Sequence, residues 1–498
     1  MSLRTCSKTV VVPASLFSGF STKKYLVASA YFNKNTRKFL YLMLEYVAML
    51  FSNLREANKY LETLIPSPKR TPLDRRLEKT AHLLRLCGNP HEKLQLIHIG
   101  GTSGKGSVAY FLSRILTGQG YKVGLHVSPH LQIVTERAQI NGQLMLKEKF
   151  SEYVERFKPL ITQVEKDLKP LKINYFETLV AIALKYFADE KVDIAIIEVG
   201  IGGSFDATNV INPLISIITN VGLAHTGMLG KTIQKIAKDK AGIIKRDSLV
   251  ITGAKQPSVQ RIISEKAENC NSDVSFLDRD FSYKIKTANL TGSIFDFRWE
   301  DKIYRNLALS APGLFQIENA STALAASCLL PQLGFKIDQK KIYKALEKVK
   351  IPGRFEVVQK RPLIILDAAH NMVKIKTFLS SLTYVLPNQK FIFVTTFVTL
   401  EGNKEVAEIL KRIMACAKAF VVVEFSQAAD TNRQLALSAG AVAALLKKLN
   451  FSGDIVIEKR PREALAKAKK LANKTDIIVI TGSLYLVGEI RDLFFPIK

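Results

Sequence analysis

Residues 100–107 read GGTSGKGS. A lysine set among glycines and followed by a hydroxyl residue is the chemistry of phosphate binding. The glycines let backbone N–H groups turn toward an anion, the lysine supplies charge, and the hydroxyl can face a metal ion. The common pattern, G-x-x-x-x-G-K-[ST], puts the hydroxyl directly after the lysine, whereas here Gly106 stands between Lys105 and Ser107. Three readings follow: a damaged phosphate loop, a chance glycine-rich turn, or a loop built for a different reaction. Other residues with chemical capacity lie further on. Glu198 ends the apolar run DIAIIEV, where a carboxylate is costly to bury without a cation. His225 is a lone histidine in a loop, and Asp367 ends the apolar run RPLIILD, where α/β sheets gather ligand contacts but where an aspartate is also a common helix cap.

The elements around these residues follow from periodicity. LQLIHIG (94–100), KVGLHVS (122–128), VDIAIIEVG (192–200), PLISIITNVG (213–222) and SLVITG (248–253) are short, apolar and β-branched, the signature of buried strands. Between them, 174–190 places Phe176, Leu179, Val180, Ala183, Leu184 and Phe187 at helical spacing. The loop at 100–107 therefore sits between a strand and a helix, the context a phosphate loop needs. Residues 274–309 alternate polar and apolar positions and predict a small antiparallel excursion. After IPGRF (351–355) a second strand–helix alternation begins: RPLIILD, KFIFVTT, AFVVVEF, DIVIEK and DIIVITG. The expected fold class is α/β: a phosphate-loop domain with a mostly parallel sheet over 49–350, then a Rossmann-like domain over 351–498, hinged near Pro352–Gly353.

Composition narrows the function. With 498 residues and 47% apolar content the chain needs more than one core, and it has no uncharged apolar stretch of membrane-spanning length. Five scattered cysteines without C-x-x-C spacing suit a reducing compartment and no zinc site. The net charge of +28 is spread along the chain: residues 1–48 hold seven Lys/Arg against Glu45, and the remainder holds 65 against 43 acids. Basic stretches such as 340–350 and 459–474 read as solvated helix faces, because no aromatic-interleaved recognition motif accompanies them. Polyanionic substrates use that charge better than nucleic acid does. Residues 1–48 read either as an over-long start, with Met43 and Met49 as internal alternatives, or as an organelle-targeting segment.

Several long segments, in order, resemble the folylpolyglutamate synthase/dihydrofolate synthase branch of the Mur ligase superfamily. They are GTSGKGS (101–107), HVSPHLQIVTERAQING (126–142), the stretch 174–211 ending EVGIGGSFDATNVI, TNVGLAHTGMLGKTIQKIAKDKAGIIK (219–245), PGLFQIENASTALAA (312–326), PGRFEVV (352–358), LDAAHN (366–371) and TGSLYLVGEIRDLF (481–494). In that branch Gly106 belongs to the loop. The resemblance implies an ATP-dependent ligase that adds L-glutamate to folate through an acyl phosphate. Alternatives are dihydrofolate synthase or bifunctional activity, a Mur-type ligase with another acceptor, and a nucleotide-binding regulator that has lost ligation.

Carried over, it implies that Gly101, Thr102, Ser103, Gly104, Lys105, Gly106 and Ser107 bind ATP, with Lys105 on the β/γ-phosphates. Ser107, Ser128 and Glu198 would serve one Mg²⁺ and His225 a second, and Lys240 would carry a CO₂-derived carbamate, against its bland reading as a solvated helix lysine. Gly200, Gly202, Gly203 and Asn209 fall in a loop folded across the nucleotide and folate sites; Asn319, Arg354, Asp367 and His370 lie around the adenosine and the interdomain cleft; Ser483 and Tyr485 would hold the incoming amino acid. The implied partners are folate and L-glutamate, with neither nucleic acid nor membrane, for a cytoplasmic monomer. The sequence departs from the branch at Ala224, where an aspartate is expected, at Ser204, where an arginine is expected, and across VTLEGNKE (398–405).

Overall fold

The computed structural model describes residues 53–65, 76–397, 403–424 and 437–497, all within one compact unit, Asn53–Lys498. The basic segment 1–48 and most of VTLEGNKE lie outside the described residues.

The β-branched runs form strands, as periodicity predicts. An eight-stranded sheet has the order β4-β3-β2-β5-β1-β6-β7-β8. Its strands are β1 (Leu96–Gly100), β2 (Val123–His126), β3 (Gln139–Ile140), β4 (Gln143–Leu144), β5 (Ile194–Glu198), β6 (Ile215–Ile218), β7 (Leu249–Thr252) and β8 (Val274–Phe276). The strands from β2 to β8 in that order pair in parallel, while β3 and β4 add an antiparallel edge hairpin that periodicity misses because each has two residues. Residues 274–276 belong to this parallel sheet. The antiparallel excursion therefore starts later than its pattern suggests, as β9 (Phe281–Asn289), β10 (Gly292–Trp299) and β11 (Lys302–Leu309).

A third, six-stranded sheet has the order β12-β13-β17-β14-β15-β16, from β12 (Glu356–Lys360), β13 (Leu363–Leu366), β14 (Phe391–Thr395), β15 (Ala417–Val423), β16 (Asp454–Glu458) and β17 (Ile477–Thr481). Five of these are the runs seen in the sequence. The extra edge strand, β12, is antiparallel to β13 and half-exposed, which dilutes its apolar signal.

Helices cover the sheets because their apolar stripes need burial. Helix Lys105–Gln119 buries Val108, Phe111, Leu112, Ile115 and Leu116 with Ile97 and Ile99 of β1 and with Ile317, Ala320 and Leu324 of helix Leu314–Leu329. Residues 53–63 are helical and bury Leu54, Ala57 and Leu61 in a second core cluster around helix Tyr175–Asp189.

Strand order is what assembles the site. β1 lies between β5 and β6, with Ile99 opposite Glu198 and Gly100 opposite Ile218, and β2 flanks β5 with His126 opposite Ile197. The residues leaving the carboxyl ends of β2, β5, β1 and β6 therefore stand side by side, where open α/β sheets bind ligands. In the third sheet β17 lies between β13 and β14, so Asp367 and Ser483 leave adjacent strands.

Candidate active site

The loop after β1 is shaped by side chains from the neighbouring strand. Gly104 caps helix Lys105–Gln119 at φ +82, and a Cβ there would collide with Asn319 Oδ1. Gly101, at φ +141, leaves no room for a Cβ against Thr219 Oγ1. Thr219 Oγ1 donates to the Ser103 carbonyl at 2.6 Å, and Asn220 accepts from Ser103 N–H through Oδ1 at 3.0 Å while donating to its carbonyl through Nδ2 at 3.1 Å. Thr102 Oγ1 both donates to the Gly222 carbonyl and accepts from Gly222 N–H. Thr219 and Asn220 thus position the loop. Both stand in the motif TNVGLAHT, yet sequence reasoning gave them no role, because contacts across more than 100 residues leave no local pattern.

Two lysines converge on one oxygen. Lys105 Nζ donates to the Gly101 carbonyl at 3.3 Å and Lys240 Nζ donates to the same carbonyl at 2.9 Å. Lys240 is only 3% exposed, which rules out its reading as a solvated helix lysine. Burial, helped by the Lys105 charge, pushes its ammonium down to about 7. It is held there by the glycine-rich loop after β5: the backbone of Gly203 lies so close to the Asp239 carbonyl and Lys240 Cα that any side chain would clash. Asp206 Oδ atoms accept from Ile201 N–H and from Thr208 N–H and Oγ1 and so fix the loop, while Asn209 Nδ2 ties Ser204 O to Gly242 O. Ser204, where an arginine is expected, donates its hydroxyl to the Asp239 carbonyl at 2.9 Å and so braces the Lys240 helix.

Glu198 is 5% exposed and accepts from Ser128 N–H through Oε2 at 2.9 Å. Burial raises its carboxyl, and Lys105 opposes that rise. A Cβ on Gly106 would stand 3.4 Å from Glu198 Oε2, so Gly106 lets the carboxylate approach the first turn of the helix that carries Ser107. The buried Ser128 Oγ has no hydrogen-bond partner among the described residues. An orphaned hydroxyl beside a buried carboxylate suits a small oxygen-seeking cation. No group of three or more His, Cys, Asp or Glu gathers among the described residues, so such a cation would draw its other ligands from hydroxyls, water and phosphate. His225, left-handed at φ +52, starts the short helix Thr226–Leu229 and lies within electrostatic reach of His370.

The second half of the chain completes the cluster. Phe355 takes a left-handed φ of +46 in PGRF, and Asp367 holds that turn by accepting Phe355 N–H at 2.9 Å and Ala369 N–H at 2.8 Å. Burial lifts the Asp367 carboxyl to about 6 against the pull of Arg354. His370 Nδ1 donates to the Ala368 carbonyl at 2.9 Å. The neighbouring Lys374 ammonium, followed by burial, holds His370 well below its ordinary value. Lys374 is a residue sequence reasoning missed: burial, then Arg354 and Lys105, push it down to about 7, while Glu198 and Asp367 oppose. Lys105, Glu198, Lys240, Arg354, Asp367, His370 and Lys374 thus share one electrostatic neighbourhood of five basic groups and two carboxylates. Ser483 is 2% exposed after β17, beside Gly482, whose N–H binds the Ala369 carbonyl. Tyr485 lies half-buried in the first turn of helix Leu484–Asp492.

The segments that carry these residues recur, in the same order, in known proteins. Residues 99–327 match the Mur ligase middle domain and 347–493 the dihydrofolate synthetase C-terminal domain. The chain is 31% identical over 420 residues to the dihydrofolate synthase/folylpolyglutamate synthase of Bacillus subtilis, spanning 83% of this chain and 94% of that protein. It is 33% identical over 416 residues to the folylpolyglutamate synthase of Lacticaseibacillus casei, spanning 82% and 92%. Mycobacterium tuberculosis folylpolyglutamate synthase, solved in complex with ADP, superposes with a TM-score of 0.80 at 28% identity, covering 89% of this chain and 99% of that one. By fold, ordered motifs and these relatives, the chain belongs to the dihydrofolate synthase/folylpolyglutamate synthase family of ATP-dependent Mur-type ligases.

Proposed function

We propose that the protein joins L-glutamate to a folate, cleaving ATP to ADP and phosphate. The observation that carries this reading is the convergence of Lys105 and Lys240 on the Gly101 carbonyl beside buried Glu198, under the Asp367–His370 turn of the third sheet. A Lys105 charge that pushes the Lys240 and Lys374 ammoniums down makes a site that a polyanion relieves, and a folded triphosphate is such a ligand. That relatives named for this chemistry align along most of the chain supports folate as the acceptor.

In this reading the γ-phosphoryl group passes from ATP to the folate side-chain carboxylate: the bond from phosphorus to the ADP oxygen breaks and an acyl phosphate forms. The glutamate amine then attacks the acyl carbon, phosphate leaves with the bonding electrons, and the amine's proton is lost to solvent or a nearby base. Lys105 and the loop N–H groups hold the β/γ-phosphates, and Asn319, Arg354, Asp367 and His370 border the nucleotide from the cleft. Ser483 and Tyr485 bound the space for glutamate. Ser107, Ser128, Glu198, His225 and a carbamylated Lys240 would hold Mg²⁺, which neutralises phosphate oxygens when bound. A carbamate on Lys240 keeps one N–H for the Gly101 carbonyl, and a lysine held near pH 7 has the neutral amine that reacts with CO₂. Intact-mass measurement of the native protein under bicarbonate tests the carbamate: an unmodified Lys240 in active enzyme removes it.

The acceptor is tested by comparing dihydropteroate with tetrahydrofolate. Glutamate-dependent phosphate release with tetrahydrofolate alone assigns chain extension, and release with dihydropteroate assigns dihydrofolate synthesis. Release with neither, under conditions where ATP binds, overturns the folate reading.

A further inference from the structure

We propose that Lys374 is a further catalytic residue, binding the transferred phosphoryl group from the side opposite Lys105. The proposal rests on the ligase reading above.

The geometry begins with helix Met372–Val385, which follows the Asp367–His370 turn. Asn371 caps it by accepting Lys374 N–H at 3.0 Å, so the position of the first turn is fixed. That turn meets the phosphate loop. A Cβ on Gly222 would stand 3.7 Å from Val373 Cγ2 and 3.7 Å from Thr102 Cγ2, so a single glycine separates the residue next to Lys374 from the loop. His370 spends its Nδ1 hydrogen on the Ala368 carbonyl, which leaves Nε2 as an acceptor, and Lys374 Nζ donates to it at 3.3 Å. No ion pair is formed by Lys374 among the described residues, and the charges around it include Lys105 and Glu198 of the first sheet as well as Arg354 and Asp367 of the third.

A lysine that leans on a neutral imidazole has donors to spare, and repulsion from Lys105 and Arg354 favours an anion between them. In the ligase reading Lys105 belongs to the loop that holds the β/γ-phosphates, whereas Lys374 comes from helix Met372–Val385, after the Asp367–His370 turn of the third sheet. From there it reaches the outer end of the triphosphate, where charge builds on the group in transfer. An alternative anion, the carboxylate of the incoming glutamate, would make Lys374 a substrate-positioning group with no bearing on nucleotide affinity.

Calorimetric titration of the whole protein with Mg²⁺ and either ADP or the β,γ-methylene analogue of ATP separates these roles, since only the analogue has a third phosphate. For Lys374→Met the analogue's affinity is expected to fall roughly 10- to 100-fold while ADP stays within about twofold, as for a lost charge-assisted hydrogen bond to phosphate. Lys374→Arg is expected to recover part of the loss. Lys374→Gln serves if the methionine variant does not fold, with circular dichroism as the control. Equal losses for both nucleotides mean a structural role, and unchanged nucleotide binding with a raised KM for glutamate means the carboxylate role. Either overturns the proposal. Wild-type protein that binds neither nucleotide overturns the ligase reading with it, whereas normal wild-type binding confines any failure to Lys374.

Discussion

At the scale of single residues, the site is a contest between desolvation and charge. Burial alone drives buried lysines toward the neutral amine and carboxylates toward the acid; the Lys105 and Arg354 charges add to the first effect, and Lys105, Arg354 and Lys374 oppose the second. Lys105 contributes charge and one hydrogen bond to Gly101, with little packing of its own, so its removal should spare the fold. Lys105→Ala is expected to lower kcat by at least roughly 100-fold, the scale of a lost electrostatic stabiliser. Circular dichroism should match wild type while ATP turnover disappears, and an active variant would refute the phosphate-loop assignment. Lys240→Ala is expected to be similarly inactive, with partial recovery in added short carboxylic acids that can replace a carbamate's oxygens; turnover against acetate concentration checks this. The closeness of Lys105 and Glu198 was legible because both stand in local motifs at the ends of neighbouring strands. Lys374 was not, because nothing around NMVKIK reports that Val373 will land beside Thr102.

At the scale of elements, the strands were legible wherever both faces are buried, since such strands become continuous β-branched runs such as LIHIG and IAIIE. Edge elements were not: β12 is half-exposed, and β3 and β4 are too short to show a period. The central strands also carry polar groups that composition hides. Burial holds the imidazoles of His126 in β2 and His130 just beyond it at about 3, with Arg137 adding to the effect. His126 donates Nδ1–H to the Arg137 carbonyl at 2.7 Å and stays neutral when folded. Above the ordinary histidine pKa of about 6.5 neither the folded nor the unfolded form takes a proton, and the full stability is present. As pH falls below that, the unfolded chain takes up a proton that folded His126 refuses until about pH 3, so stability is lost. Between pH 6.5 and 5 the unfolding free energy of wild type should therefore fall more steeply than that of His126→Gln, by a difference that grows from about 0.7 to about 1.4 kcal/mol per pH unit as the unfolded histidine becomes fully protonated. Urea melts at several pH values measure the difference in slope; parallel slopes would show that His126 titrates normally. Packing sets the other element-scale cost: Leu112, fully buried between helix Lys105–Gln119 and β1, should lose about 2–5 kcal/mol on replacement by alanine, read from the same melts.

At the scale of the whole molecule, residues from the carboxyl ends of two sheets meet, because the helix after Asn371 brings Val373 and Lys374 to the loop that carries Thr102 and Lys105. The order of motifs made this two-sheet plan readable, but the pairing of its surfaces depends on contacts such as Arg491 with Glu356 and Gln132, which no spacing announces. The described elements begin with the helix at 53–63, whose Leu54, Ala57 and Leu61 are buried. A chain starting at Met49 keeps those anchors and is expected to match the full chain in turnover and melting temperature, whereas one starting after residue 63 should melt earlier by several degrees for each buried leucine lost. Loss of folding in the Met49 form would show that the preceding segment supports the ligase body. The central claim, that this site couples ATP cleavage to joining glutamate and a folate, is tested most directly by following phosphate release while each substrate is omitted in turn, with the mass of the folate product read alongside. Phosphate should appear only when ATP, a folate and glutamate are all present, one for each glutamate residue added. Phosphate release that ignores the folate or glutamate, or none in the complete mixture, would contradict it.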